Sequence, residues 1–306
     1  MGKGFFTQSA CVLLSRPAVL DEVVSLLGEP GIVKRTDDRP ASDDMAGPSV
    51  VLAFRPEVNG YVDVDIQNRP WPDHMGDPKA EPMLFGAWSM GHFGPFTFPG
   101  NLQRAAEQSW GWKAGREIPE RHRAFIRIRS TYVFGAQDET RLMPDDYDPL
   151  GELVFVTRVA RRLLDHPAAL AYFNPNGETL RERAALEDRD AASPPPLDVW
   201  TNVRLFNPGN GWLLMDTVGM SQLDRPDCEA CFPEESNDPG EIDAFLRNVC
   251  LYLMEAGDVI KDGHTVDGPR GARWRARHIE EPLVSPPRPT LRLFPADAQP
   301  PPELER

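Results

Sequence analysis

Apolar residues recur with two different periods along the first third of the chain, and each switch of period marks an element. Residues 5–15, FFTQSACVLLS, read as a strand. In residues 16–29, Leu20, Val23, Val24 and Leu27 recur at helical spacing, and Gly28 stands where a C-cap belongs. A polar loop over 34–47 leads to two β-rich runs within 49–70 that flank a Pro/Asn/Gly turn, which predicts a hairpin. The aromatic segment GAWSMGHFGPFTFPG (86–100) comes next, then a helix over 101–112 with Asn101 as N-cap and an alternating strand over 124–134. This succession, β-α-β-β-α-β, predicts a ferredoxin-like lobe.

The second half repeats the theme. Residues 146–167 predict a helix that Asp148 caps, Pro149 enters at its first position and Pro167 stops. Residues 169–178 read as a strand and turn, and 178–192 as a charged helix or loop that breaks at SPPP. The run 198–220 predicts a second hairpin with 207–211 as its loop, and 238–257 a core helix opened by Asp238, Pro239 and Glu241. RWRARHI (273–279) reads as a strand, and the Pro-rich stretch from Pro282 as an extended, solvated tail. The fold class expected is therefore α+β: two ferredoxin-like lobes with largely antiparallel sheets, over 1–145 and 146–281, and a tail over 282–306.

Composition narrows the partners. A chain of 306 residues with 41% hydrophobic content can bury a sizeable core. Its net charge of −14 disfavours the phosphate backbone of nucleic acids and suits a basic protein. No run approaches the roughly 20 apolar residues of a membrane span, and the start lacks a signal-type apolar core. Four cysteines are too few for a disulfide framework, so a cytoplasmic location is expected.

Candidate chemistry is sparse. Ala87-Trp88-Ser89-Met90-Gly91 has the spacing of a nucleophile elbow, but Pro95 and Pro99 follow where the required helix would begin. The segment reads better as an aromatic plug over the core, with His92 as an internal tether. Cys228 and Cys231 form a CxxC without a second ligand pair, and the six histidines are dispersed, so neither a metal site nor a cofactor is expected. No glycine-rich phosphate cradle is present.

Charge within the strands carries more information. Alternation places Asp63 and Asp65 on one face of their strand and Arg127 and Arg129 on one face of theirs. Like charges about 7 Å apart repel by about 2 kcal/mol at an effective dielectric of 20, so each row needs the opposite charge nearby. A ferredoxin-like order sets the two rows on an open face to either side of Thr7, Ser9 and Cys11, as a polar recognition surface. In the second hairpin, loop symmetry puts Asn202 opposite Asp216 and Arg204 diagonal to it, with Trp200, Phe206 and Trp212 on the same face, which outlines either a buried structural ion pair or a small pocket, the ion pair being the stronger expectation.

Residues 245–268, FLRNVCLYLMEAGDVIKDGHTVDG, carry an amphipathic helix with Asn248, Tyr252 and Glu255, followed by Asp262, Gly263 and Thr265. This pattern resembles the C-terminal signature of the bacterial family called domain of unknown function 4261. Asp267 departs from it, standing where the family often goes directly to glycine. Residues 59–78 and 87–96 resemble stretches of longer relatives. The resemblance implies no catalytic residues. Some relatives lie near toxin and type VI secretion genes, which implies an immunity or accessory role. The function expected is non-enzymatic protein binding, with a basic toxin as one possible partner. The alternative is a hydrolase or small-molecule enzyme using Ser89 and His92 or the Arg204/Asp216 pocket.

Overall fold

A computed structural model describes residues 3–135, 141–187 and 195–305, in two compact units, 1–192 and 193–306. The first runs β1 (Gln8–Leu14), α1 (Leu20–Leu27), β2 (Ile32–Thr36), β3 (Ser49–Arg55), β4 (Gly60–Gln67), α2 (Pro82–Ser89), α3 (Asn101–Glu107), α4 (Ile118–Arg121), β5 (Ala124–Thr131), α5 (Pro149–Leu163), β6 (Ala169–Asn174) and β7 (Thr179–Arg181). Its strands form one antiparallel sheet in the order β2-β3-β4-β5-β1-β6-β7. The α+β class is as expected; the strand order is not ferredoxin-like. There β1 would separate the Asp and Arg strands by two inter-strand spacings, close to 10 Å, too far for contact. Instead β4 and β5 are neighbours, and Asp63 faces Arg129 while Asp65 faces Arg127.

Helix α5 packs across β1, β5 and β6 with α1 beside it, which covers one face of the sheet. The other face carries Cys11, Leu13, Phe125 and Phe173 beneath Trp71, Trp88 and Phe93. Trp71 is the hub, edge-on to Phe173 at 5.1 Å, Phe93 at 5.2 Å and Trp88 at 6.0 Å. The plug expected over 86–100 thus exists in part, with Trp88 and Phe93 buried, and it begins with the helix α2 rather than as loop throughout. Asn101 is not the cap of α3. Asp73 accepts from the amides of Leu102 and Gln103, while Asn101 accepts from the Trp71 indole at 3.0 Å. Part of the expected polar loop is β2, an edge strand that needs only backbone pairing with β3.

Because β6 pairs with β1, residues 146–187 complete the first sheet instead of opening a second lobe. Asp148 caps α5 as expected, accepting from the amides of Leu150 and Gly151. Beyond β7 the expected helix or loop is a short 3-10 turn over 183–186, and residues 188–194 lie outside the described residues.

The second unit comprises α6 (Leu197–Trp200), β8 (Asn202–Gly209), β9 (Trp212–Val218), β10 (Asp227–Pro233), α7 (Pro239–Ala256), β11 (Thr265–Asp267), β12 (Arg273–Ile279), β13 (Thr290–Pro295) and α8 (Pro302–Glu305). The sheet order is β11-β12-β13-β10-β9-β8, antiparallel except for β10 with β13. Ile242, Phe245, Leu246, Val249 and Leu253 of α7 are buried, and the helix packs on β8, β9 and β10. The hairpin turn is Asn210–Gly211, both at positive φ, three residues shorter than 207–211. Arg204 therefore faces Asp216 directly and Asn202 faces Val218, while Trp200 belongs to α6 and not to the hairpin face.

The expected tail is the largest misreading. Thr290–Pro295 is buried throughout and forms an interior strand between β10 and β12. Its Leu291 and Leu293 are fully enclosed, a burial that outweighs the prolines on either side. Leu293→Ala is expected to destabilise the second unit by about 2–5 kcal/mol, whereas a solvated tail would move by about 0.5 kcal/mol or less; denaturant unfolding read from the Trp274 signal measures the difference.

Candidate binding groove

The charged rows of the first sheet are enclosed. Asp65 and Arg127 are fully buried and Arg129 is 1% exposed, so the open recognition face expected for Asp63, Asp65, Arg127 and Arg129 does not exist. The Asp65 carboxylate accepts five bonds: from Arg127 Nε (2.9 Å) and Nη2 (2.8 Å), Arg129 Nη2 (3.1 Å), Gln67 Nε2 (2.8 Å) and the Gly47 amide (3.0 Å). Arg129 Nη2 also reaches Asp63 at 2.7 Å. Other guanidinium protons of Arg127 go to the carbonyls of Asp44, Met45 and His92, which ties two irregular segments to the sheet. Burial alone would raise the Asp65 pKa, but Arg127 and Arg129 outweigh it and hold the carboxyl well below the usual range.

The second sheet repeats the device on its face away from α7. Arg204 grips Asp216 through Nε (2.9 Å) and Nη2 (2.6 Å), and Arg288 closes over the same carboxylate at 2.5 Å. The pocket expected around Arg204 and Asp216 is thus filled from within the chain, by a residue assigned to the tail. Trp200, Asn202, Arg204 and Asp216 are all buried. Arg292 meets Glu229 at 2.7 Å beside them. Asp227 is pushed up to about 6 by burial, with Arg288 only partly offsetting it.

Nucleophiles and bases stay apart. Ser89 Oγ is exposed and donates back to the Phe85 carbonyl of its own helix at 2.8 Å. His92 Nδ1 lies 2.7 Å from the Met45 carbonyl oxygen, which only accepts, and 2.9 Å from Arg129 Nη1, which only donates, so in either tautomer that nitrogen is taken up inside the fold. Burial, then Arg129 and Arg127, pull the imidazole pKa down to about 4, so it is neutral at pH 7. Cys228 and Cys231 lie three apart on a strand and so face opposite ways. Cys228 approaches Cys250 at 3.8 Å, whereas Cys231 joins Trp212 and Phe294. The contact with Cys250, then burial, raises the pKa of Cys228, and burial raises that of Cys231. Among the described residues no group of three His, Cys, Asp or Glu is arranged to hold a metal ion, and no helix is long and apolar enough to cross a membrane.

Among the described residues, a groove of about 720 Å³ lies open to solvent between α7 and β11. Phe245, Val249 and Ile260 form its buried apolar floor, and Asn248, Tyr252, His264 and Thr265 stand exposed along it. Tyr252 is 50% exposed, unusual for an aromatic on a core helix. At one end Arg270 pairs with Glu241 and Arg273 with Asp267. The signature residues divide between scaffold and groove. Asp262 accepts from the His278 amide (2.7 Å) and sits 2.9 Å from its imidazole, Gly263 takes the left-handed turn at φ 79°, and Asn248, Tyr252 and Thr265 line the groove. Burial lowers the His278 pKa, but Asp262 and Asp258 outweigh it and the net direction is up. Gly268 ends β11 against the Trp274 ring, where an added Cβ would lie 2.1 Å from Cδ1. The sequence supplied the signature without showing that three of its members share one concavity, nor that Phe245 and Ile260 would floor it.

Two substitutions probe this geometry. Asp65→Asn leaves two buried guanidiniums undercompensated and is expected to cost about 3–5 kcal/mol, measured by urea unfolding of the Trp71 indole resonance. The Asp65 contribution is present above the unfolded pKa of about 3.9 and is lost as pH falls toward the depressed folded value. Gly268→Ala forces Trp274 to shift and is expected to cost about 1–3 kcal/mol, with the β11 amides losing hydrogen-exchange protection first.

No curated protein and no solved structure matches the chain. Residues 216–294, which run from the buried Asp216 through α7 and the groove to β13, match the model of the family described as Domain of unknown function (DUF4261).

Proposed function

We propose that this chain is a non-enzymatic protein-binding protein whose second unit receives its partner in the α7–β11 groove. One observation carries the reading: signature residues Asn248, Tyr252 and Thr265 converge on an open groove with an apolar floor, and none of them is buried. Anchors of this kind, a half-exposed aromatic beside a desolvated floor, are what protein interfaces use. Four free, buried thiols agree with a reducing, cytoplasmic setting. The net charge of −14 favours a basic partner through faster encounter, as an immunity or accessory protein facing a basic toxin would require. Against the hydrolase alternative, the Ser89 hydroxyl donates to the Phe85 carbonyl of its own helix, and among the described residues it shows no hydrogen bond to a base.

The test is affinity capture from the source cell with the full chain and with an Asn248→Ala/Tyr252→Ala variant, both positions being exposed and outside the core. A basic protein retained by the natural chain, released as salt rises and bound at least tenfold more weakly by the variant is expected, tenfold being about 1.4 kcal/mol. Equal retention by both chains, or no partner at all, would refute the reading.

A further inference from the structure

The geometry points to a specific mode for that groove: it takes an extended segment of a basic protein, which adds to the free edge of β11 as a further antiparallel strand. This rests on the binding reading above and goes further, because it fixes the partner's backbone conformation and the periodicity of its side chains.

The argument starts from hydrogen-bond parity. β11 is the last strand of its sheet, paired on one side only with β12. The Gly268 amide donates to the Ala272 carbonyl and the Ala276 amide to the His264 carbonyl, each at 2.8 Å. In an antiparallel ladder with Thr265 facing Arg275, Val266 facing Trp274 and Asp267 facing Arg273, these bonds make the even-numbered residues of β11 the hydrogen-bonded ones. The N–H and C=O of Thr265 and Asp267 therefore turn away from β12, and both residues line the groove. Two residues apart, they offer two donor–acceptor pairs, the template that strand addition uses.

Side-chain parity agrees. Val266 turns toward the α7 face with Trp274, so a partner residue set opposite Val266 directs its side chain over the floor of Phe245, Val249 and Ile260. Its two neighbours make the backbone bonds to Thr265 and Asp267. The groove wall from Glu241 to Tyr252 spans roughly 16 Å at 1.5 Å per helical residue, which matches about five residues of extended chain. Charge decides the partner's composition. The last turn of α7 carries Glu255 and no basic residue, and exposed Asp258 follows. The helix C-terminus adds its negative dipole end there. The segment expected is one with an apolar residue at the centre and Lys or Arg toward the Tyr252 end.

The experiment uses the full chain and a phage-displayed library of random 12-residue peptides. The strongest binder is then synthesised with fluorescein, N-methylated at each position in turn, and titrated by anisotropy. The expected result is an alternation: methylation at two positions spaced two apart weakens binding at least tenfold, while methylation between them changes it less than twofold. Asp267→Pro, which removes an outward N–H at an edge where proline is tolerated, is expected to weaken binding at least tenfold, and Asp267→Ala less than threefold. The N-methyl scan uses the natural chain, so it decides the matter even if the proline variant fails to fold. Enrichment of no peptide, a scan without alternation, or a helical i, i+3, i+4 pattern of sensitive positions would overturn strand addition. If a captured partner still depends on Tyr252 while its binding segment scans flat, protein binding stands and this mode of it falls.

Discussion

Each unit depends on placing guanidinium–carboxylate pairs on the sheet face that its long helix does not cover. Apolar burial cannot close that face, because Asp65, Arg127 and Arg129 in one sheet and Arg204, Asp216 and Arg292 in the other stand among its strands. A lone charge there would be prohibitive, so each is matched to an opposite charge within hydrogen-bond distance. The spare guanidinium protons then fix the rest. Arg127 binds the carbonyls of Asp44, Met45 and His92, while Arg204 binds Ser285, Arg288 binds Val284 and Pro286, and Arg292 binds Leu304. Segments with little regular structure of their own become the lids of the two charged layers.

That arrangement accounts for how little catalytic chemistry is on view. The most ionic residues of the strands are consumed internally, the imidazole nearest them is neutral and held between the Met45 carbonyl and Arg129, and strand alternation sends the two thiols of the CxxC to opposite faces. Among the described residues, the α7–β11 groove brings an apolar floor, an exposed aromatic and an unspent backbone edge together.

The family signature is clearer once its members are sorted by what they touch. Asp262, Gly263 and Gly268 build the β11–β12 hairpin: one anchors His278, one supplies a left-handed turn, and one lets Trp274 pack close. Asn248, Tyr252 and Thr265 stabilise nothing evident and face solvent. Asp267 carries its side chain into a surface ion pair with Arg273, worth at most about 1 kcal/mol.

Local physics made much of the chain legible from sequence. Asp148 and Asp238 cap their helices because a short carboxylate ahead of a proline at N1 serves the first free amides, and the apolar stripe of α7 announced a core helix. Alternation correctly grouped Asp63 with Asp65 and Arg127 with Arg129. It could not say which strands would be neighbours, because pairing is chosen by contacts distant in sequence, and here direct Asp–Arg adjacency replaced the ferredoxin-like order. The same gap hid β13: composition reads Pro282–Arg306 as solvated, yet Leu291, Arg292 and Leu293 acquire a reason to be buried only when β10, β12 and Glu229 surround them. Sequence alone determined most of the helices, the caps at Asp148 and Asp238 and the grouping of charge on the strands; tertiary structure decided that β2 and β13 exist, which charges were neutralised inside and which residues were left facing a groove, since burial belongs to the whole packing and not to any local pattern.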